Sequence, residues 1–366
     1  QISAGSISAK TASDPTSYQQ LFPADLRPQA HEIIRSWAFY TYLKALLHDD
    51  QLPWYNLMIS GWCLAPDKSK MSKSKGNVIT PSALLADKTT DCIRYWSASS
   101  NLGADIVYSE NVLHNGKKLL NKLWNAGQFV ALQIAELNLD QSALSLAKLR
   151  PEITHHYDLA IIAKLNKIIT DASLALDKFE YGRAKSLIEE FFWDDFCDNY
   201  LEISKARAYG NLANLSQYQP HLQLAAIKPL QASAKFSLGL IFANLLKLFA
   251  PFLPHLSEEL WQALFPHQLT SLHQRGSWPK LAETPMAANL IEQNELLKKL
   301  LSLVRKSKSE IGLALNAPIK KLAISLPSTS LALLNDDLIF DLKQAAHVND
   351  CQLKQAEDFS LSLTLH

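Results

Sequence analysis

The 366-residue sequence offers little cysteine chemistry. Its four cysteines, Cys63, Cys92, Cys197 and Cys351, are scattered, and none forms a Cys-x-x-Cys pair. Neither a disulfide framework nor a zinc site is expected, and a reducing, cytoplasmic setting fits best. An excess of one charge is also lacking, since 36 Lys plus Arg face 35 Asp plus Glu for a net +1. A polyanionic partner must therefore be met by local patches rather than by a global field. No unbroken apolar run reaches the roughly 18–20 residues of a membrane span, so no membrane partner is expected. The chain starts at Gln1 without the basic and apolar regions of a signal peptide, and reads as a cut inside a longer polypeptide. There are no repeats, and the Ser/Thr/Ala/Gln-rich stretch 1–20 reads as loop.

What is present suits a globular protein of two or three domains: 48% hydrophobic and 19% charged residues. Pro23 and Pro28 bracket an irregular segment. Ile33, Trp37, Tyr40, Leu43 and Leu47 then recur at spacings of three and four, which predicts a mostly buried helix over 31–47. The apolar run 56–64 is short and continuous, as in a buried strand of a parallel sheet. A polar loop follows over 67–77. Thr80-Pro81 marks the start of a short helix, with Thr80 as cap and Pro81 in the first turn, and Asp91 can cap the next.

From Ser109 to about Phe265 the pattern is helical, and Pro220, Pro229, Pro251, Pro254 and Pro266 punctuate it, which predicts a bundle with short connections. Beyond 290 come an amphipathic stripe (Leu297, Leu300, Leu301, Val304) and two alternating segments, Leu322 to Leu326 and Phe359 to Leu365. A helix at 336–346 lies between them, so a small α+β domain is expected. The fold class is therefore mostly α. An α/β part with a parallel sheet is expected at 1–108, an α-helical bundle at 109–290 and a small α+β domain at 291–366.

The chemistry concentrates in the loop. Lys68, Lys70, Lys73 and Lys75 are separated by small residues, and Gly76 follows. Cations at that density need an anionic partner or free solvent. A strand that delivers such a loop at its carboxyl end places it where open parallel sheets bind ligands. A triphosphate is a natural partner, because ammonium groups can follow negative charge as it moves onto departing pyrophosphate. Small serines leave the loop free to close and reopen, and Gly76 permits a turn with φ > 0.

The order strand, Lys70-Met71-Ser72-Lys73-Ser74, Gly76-Asn77, capped helix resembles the lysine loop of the class I aminoacyl-tRNA synthetases letter for letter. Within that class, the segment from Asp25 to Tyr40 is similar to the valyl enzymes. Asn121 to Ala126 and Ala250 to Trp261 are similar to the valyl, isoleucyl and leucyl group. The resemblance implies a C-terminal portion of such an enzyme: the second half of a Rossmann-type α/β catalytic domain, an anticodon-binding bundle and a small terminal domain. It implies ATP with Mg²⁺ as cofactors, valine and tRNA(Val) as partners, and a monomer. It implies that Lys70 and Lys73 are catalytic and hold the phosphates. Met71, Ser72 and Ser74 would shape the loop's nucleotide contacts. Gly61 and Trp62 would lie under the adenine, and Gln29 and Glu32 would contact the nucleotide. Glu32 stands where the family usually has Asp, and Ala30 where Gly is usual. Trp37 would line the amino-acid pocket.

Each reading has a plainer counterpart. Glu32 can cap or pair within its helix, and Trp37 can be core. Trp193, Phe196 and Tyr200 can stack RNA bases, but their helical spacing favours core. Lys117, Lys118 and Lys122 can contact tRNA phosphates or form a solvated face, as can Lys298, Lys299, Arg305, Lys306 and Lys308. His155-His156 reads as surface. No histidine lies in the His-x-Gly-His turn that the class also needs, and the editing domain and a terminal coiled-coil arm are not recognisable. The resemblance thus implies a chain that binds tRNA but does not activate an amino acid alone. An isoleucyl or leucyl relative, and a pure tRNA-binding module, remain open alternatives.

Overall fold

The structure is a computed structural model that describes residues 21–137, 152–211, 215–218, 224–265, 271–274, 278–279 and 289–364. The expected loop at 1–20, Pro220, Pro266 and Leu365 lie outside the described residues. The first unit is a βαβ arrangement. Strand β1 (Ala24–Ala30) leads through a 3₁₀ turn (His31–Ile33) and a π-helical turn (Ile34–Ala38) into α1 (Phe39–Asp49), which returns to β2 (Trp54–Ser60). β1 and β2 pair in parallel, Ala24 opposite Trp54 and Ala30 opposite Ser60.

Two expectations fail here. The segment around Pro28 is a strand rather than irregular. Pro28 forfeits one donor, yet it pairs opposite Met58 within an otherwise regular register. Helix α1 and β2 are also not buried, as Trp37, Tyr40, Leu47 and Tyr55 stand largely in solvent. Apolar periodicity marks the residues that seek cover, and it cannot say whether cover is supplied.

β3 (Cys63–Leu64) follows β2 and pairs in parallel with β4 (Ile106–Val107). Between them lie the lysine loop, α2 (Pro81–Leu85) and α3 (Thr90–Ser97). Thr80 caps α2 as expected, its hydroxyl accepting from Ala83 N at 3.3 Å. Asp91 does not cap α3; Thr89 does, accepting from Cys92 N. Asp91 caps another helix instead.

The bundle comprises α4 (Glu110–Ile134), α5 (His156–Asp177), α6 (Tyr181–Glu190), a π-helical stretch (Phe191–Tyr200), α7 (Leu201–Tyr209), α8 (Leu224–Phe249) and α9 (Pro254–Leu264). Pro229 lies inside α8 rather than at its end. Residues Ala225–Phe249 are long and apolar enough to cross a membrane by length and composition, although lysines interrupt them, and most of this helix is buried in the bundle. Phe192, Phe196 and Tyr200 recur every fourth residue and stack at 6.3 and 6.1 Å. Phe249 meets Phe192 edge-on at 5.5 Å. Phe196 and Tyr200 are fully buried, as core packing requires, and Trp193 packs partly buried against the same core.

The terminal part is α10 (Leu290–Glu310), β5 (Ile319–Leu326), α11 (Ser328–Leu331), α12 (Asp336–Ala346), β6 (Val348–Gln355) and β7 (Ser360–Thr364). β5 is central, parallel to β6 and antiparallel to β7. The alternation in β5 and β7 is legible in sequence, but β6 is not, because its residues are mostly polar. One apolar cluster takes in Phe196 and Phe242 of the bundle together with Leu322, Leu338 and Val348.

A buried ionic node joins these layers. Arg207 on α7 donates to both oxygens of Asp158 on α5 at 2.8 Å and to Asp341 on α12 at 3.1 Å, with all three side chains out of solvent. Ser233 and Tyr200 add hydrogen bonds to Asp158. His155 is buried against this node, 3.6 Å from Asp341 Oδ2, which corrects its reading as surface. Burial favours the neutral acid at both aspartates. The guanidinium overrides burial at Asp158, whose pKa ends below the usual range, and does not at Asp341, whose pKa ends above it. Asp158 therefore contributes stability at neutral pH that is lost as pH falls through its lowered pKa, while Asp341 acts in the opposite sense. Arg207→Met strands two buried carboxylates and should cost about 3–5 kcal/mol, read as a lower urea midpoint at neutral pH.

Candidate active site

The carboxyl ends of β1 and β2 lie side by side. β1 ends at Ala30 and delivers His31 and Glu32. β2 ends at Ser60 and delivers Gly61 and Trp62. His31 Nδ1 lies 3.2 Å from the Ser60 carbonyl and ties the two ends together. A side chain at Gly61 would place its Cβ 2.3 Å from the Ala104 carbonyl oxygen, so only glycine fits this crossing. Asp105, which sequence reasoning missed, accepts from Trp62 N at 2.7 Å, and Ile106 N donates to the Trp62 carbonyl at 2.8 Å. The tryptophan backbone is thereby held from both sides.

The lysine loop folds back onto this edge. Lys70 bridges to Leu64 of β3 and sends its ammonium to Glu32 Oε2 at 2.7 Å. Trp62 Nε1 donates to the same oxygen at 3.1 Å, and Lys70 Nζ lies 4.4 Å from the indole centroid. His31 packs on that indole at 4.7 Å. Two donors on one carboxylate lower the pKa of Glu32, the Lys70 hydrogen bond most, then Trp62, then the Lys70 charge. The pair is thus formed above the ordinary carboxylate range and lost as pH falls through the lowered value. Glu32 does pair, as its plainer reading allowed, but with the loop rather than within its helix.

Asn77 gives the loop its shape. Its Oδ1 accepts from Ser72 N at 2.9 Å, and its Nδ2 donates to Ser69 Oγ at 2.9 Å and the Lys70 carbonyl at 3.3 Å. Ser72 Oγ accepts from Lys75 N at 3.3 Å and lies 3.2 Å from Ser74 Oγ, closing a 3₁₀ turn over Lys73–Lys75. Gly76 ends that turn at φ +66°, as expected. Met71 points inward and packs on Cys92, Trp96, Tyr108 and Leu113. Lys73 is exposed and, among the described residues, has no ion pair.

The other predicted residues divide. Gln29 is 8% exposed, and neither amide atom has a partner. Such a group buried beside the sheet edge is a polar anchor without its counterpart. Trp37 is 62% exposed, which removes the core alternative for it. Lys117 lines a cavity of about 440 Å³ with Lys88, His114 and Glu110. Lys118 is exposed. Lys122 and Arg305 meet at a different cavity of about 400 Å³, which Asp198 and Glu202 also line. Arg305 is held by Asn199 and the Asp198 carbonyl, and Lys306 is exposed with only a 3.9 Å pair to Glu310.

Two other lysines of that cluster, Lys298 and Lys308, are held by internal partners, while Lys299 is exposed. Lys308 is buried and donates to the carbonyls of Leu315, Ala317 and Ala346 at 2.7–2.8 Å, and Lys298 is committed to Asp194 and Asp195. Lys299 sits 3.4 Å from the Phe359 ring centroid. All four cysteines are free.

Residues 3–109 match the family described as tRNA synthetases class I (I, L, M and V), and residues 158–324 match the anticodon-binding domain of tRNA ligase. The valine--tRNA ligase of Rickettsia prowazekii (strain Madrid E) is 45% identical over 358 residues, covering 98% of this chain and 42% of the relative. That of Rickettsia typhi is 44% identical over 360 residues with the same coverages. The chain thus spans about two fifths of the length of these relatives. Among solved structures, the LeuRS of Agrobacterium radiobacter K84 in ternary complex with tRNA and LeuAMS aligns at TM-score 0.53 and 18% identity, over 76% of this chain and 30% of its own. Mycobacterium tuberculosis methionyl-tRNA synthetase in complex with methionyl-adenylate aligns at 0.52 and 19%, over 73% and 52%. At those identities the likeness establishes the fold.

Removing the Asn77 side chain should loosen the loop and little else. Asn77→Ala should speed amide exchange at Ser72 by roughly tenfold, while global stability falls by less than about 1 kcal/mol. Hydrogen exchange read by NMR, with a urea titration beside it, checks both.

Proposed function

We infer the function from one premise: this chain belongs to the class I tRNA synthetases of the isoleucine, leucine, methionine and valine group. The complete protein activates valine with ATP and transfers it to tRNA(Val), and this chain supplies the phosphate-binding lysine loop and the anticodon-binding bundle. The observation that carries the reading is the docking of Lys70 on Glu32 and Trp62, at the carboxyl edge of two parallel strands. Valine is favoured over isoleucine and leucine because the relatives at 44–45% identity are valine--tRNA ligases.

In this reading the carboxylate of valine attacks the α-phosphate and pyrophosphate departs. No nucleophilic side chain is needed, and catalysis is positioning and charge stabilisation. Lys73 meets the triphosphate from the mobile side. Lys70 meets it after leaving Glu32, whose carboxylate is then available to hydroxyl donors of the nucleotide. Gln29, Gly61 and Trp62 form the floor against the base, while Met71, Ser72 and Ser74 hold the loop's conformation. Trp37, exposed in the π-helical turn ahead of α1, lines the valine pocket. Among the described residues no group of three or more His, Cys, Asp or Glu could hold a metal. These residues therefore do not fit a resident ion, and Mg²⁺ arrives with the triphosphate.

The proposed division is a catalytic half to residue 108, a tRNA-binding bundle to 290 and a small α+β domain beyond, working as a monomer. Lys117, Lys118, Lys122, Arg305 and Lys306 are the proposed phosphate contacts. Of these, Lys117, Lys118 and Lys306 have the freer ammonium groups.

In the complete enzyme, Lys73→Ala should lower ATP–pyrophosphate exchange by roughly a hundredfold or more, with valine outpacing isoleucine and leucine as substrate. The 366-residue chain alone should give exchange at background, and robust exchange would sink that expectation. The same chain should shift tRNA in a gel, with an affinity that falls steeply as salt rises. Binding that ignores salt would argue against phosphate contacts.

A further inference from the structure

Helix α3 stands between the lysine loop and the bundle, and it grips both. Asp91, Arg94 and Tyr95 are spaced by three and four residues and so share one side of the helix. Asp91 is buried. Its carboxylate accepts from His255 N at 3.3 Å and Leu256 N at 2.8 Å. These are first-turn N–H groups of α9, which has no side-chain cap of its own. An anion there satisfies orphan donors and meets the positive end of the helix dipole. Arg94 donates to the Pro251 carbonyl at 2.7 Å, in the turn between α8 and α9. Asp91 and Arg94 thus clasp that turn from either end. Tyr95 adds a third anchor, donating to Glu189 on α6, which Lys185 also holds at 3.0 Å.

An adjacent side of α3 carries Cys92 and Trp96, and with Tyr108 and Leu113 they form the cluster on which Met71 packs. Ile79 and Leu84, from the segment joining the loop to α3, pack there too. The loop's inward residue therefore rests on a helix whose place is set by polar contacts to the bundle.

We propose that Asp91 and Arg94 are positioning residues for the lysine loop: by clasping the α8–α9 turn they set where α3 lies, and through Met71 where Lys70 and Lys73 lie. This rests on the reading of the loop as the phosphate-binding element. Neither residue touches the nucleotide. Both act more than 150 residues away along the chain, on backbone groups of the bundle.

The test is a double-mutant cycle in the complete enzyme, read as kcat for ATP–pyrophosphate exchange. Asp91→Asn should lower kcat by about tenfold when Lys73 is present, and by less than about twofold in the Lys73→Ala background. That interdependence is not expected of a residue that only stabilises the fold, whose loss would lower both backgrounds alike. Equal losses in the two backgrounds, or no loss in either, would overturn the proposal. Arg94 is exposed, so Arg94→Met keeps the cycle available if Asp91→Asn does not fold, with the same expected pattern. If Lys73→Ala alone leaves exchange intact, the phosphate-binding reading falls first and takes the proposal with it. The single variant distinguishes that failure from a failure of the clasp.

Discussion

Like charges on a short loop repel, and the structure around residues 68–75 is organised by how that repulsion is met. One of the four ammonium groups, that of Lys70, is neutralised by Glu32 and rests against an indole face. Cation and ring attract modestly at an exposed site, and solvent screens an exposed ion pair. The hold on Lys70 is therefore weak, and in the proposed function that weakness is what lets a triphosphate displace it. A tighter, buried pair would have locked the loop against the sheet edge. The loop keeps its turn by a different means: Asn77 satisfies its backbone and hydroxyl groups without neutralising any lysine. Shape and charge are thus held by separate residues, and the charge can be redirected while the shape persists.

A parallel strand pair ends in Ala30 and Ser60, and beyond those ends His31 stacks on Trp62, which donates to Glu32. Gly61 permits the crossing that brings the second strand end under the loop. None of this requires a charged excess over the whole chain. A net charge of +1 still leaves room for a local cluster of cations such as that at 68–75.

Much of this arrangement is legible in sequence, and what is not has a common cause. The Thr80 cap, the positive φ of Gly76, the bundle helices and the alternation in β5 and β7 are local: each depends on residues within a turn or on periodicity along one element. The misses depend on partners far along the chain. Asp91 reads as a cap for its own helix because nothing nearby announces that α9 lacks one, 165 residues later. His155 reads as surface because Asp341 is distant in sequence, and Lys308 reads as a solvated lysine because three distant or turn carbonyls are needed to bury it. Pro229 is tolerated inside α8 near its start. The apolar faces of α1 and β2 fail in the other direction, since their pattern asks for cover that the described residues do not provide.

The kind of contact matters as much as its place. Apolar side chains pack non-directionally, and a helix held only by them can shift along or about its axis at little cost. A carboxylate on two consecutive backbone N–H groups cannot shift without losing one of them, and an arginine on a single carbonyl fixes the opposite end of the same turn. Helix α3 carries both kinds, directional contacts toward the bundle and apolar ones toward Met71. Its position is therefore fixed from the bundle side to within a hydrogen bond, and the apolar cluster hands that position on to Met71. An element built the other way round, greased against the bundle and hydrogen-bonded to the loop, would hold the lysines still relative to a helix that itself could wander.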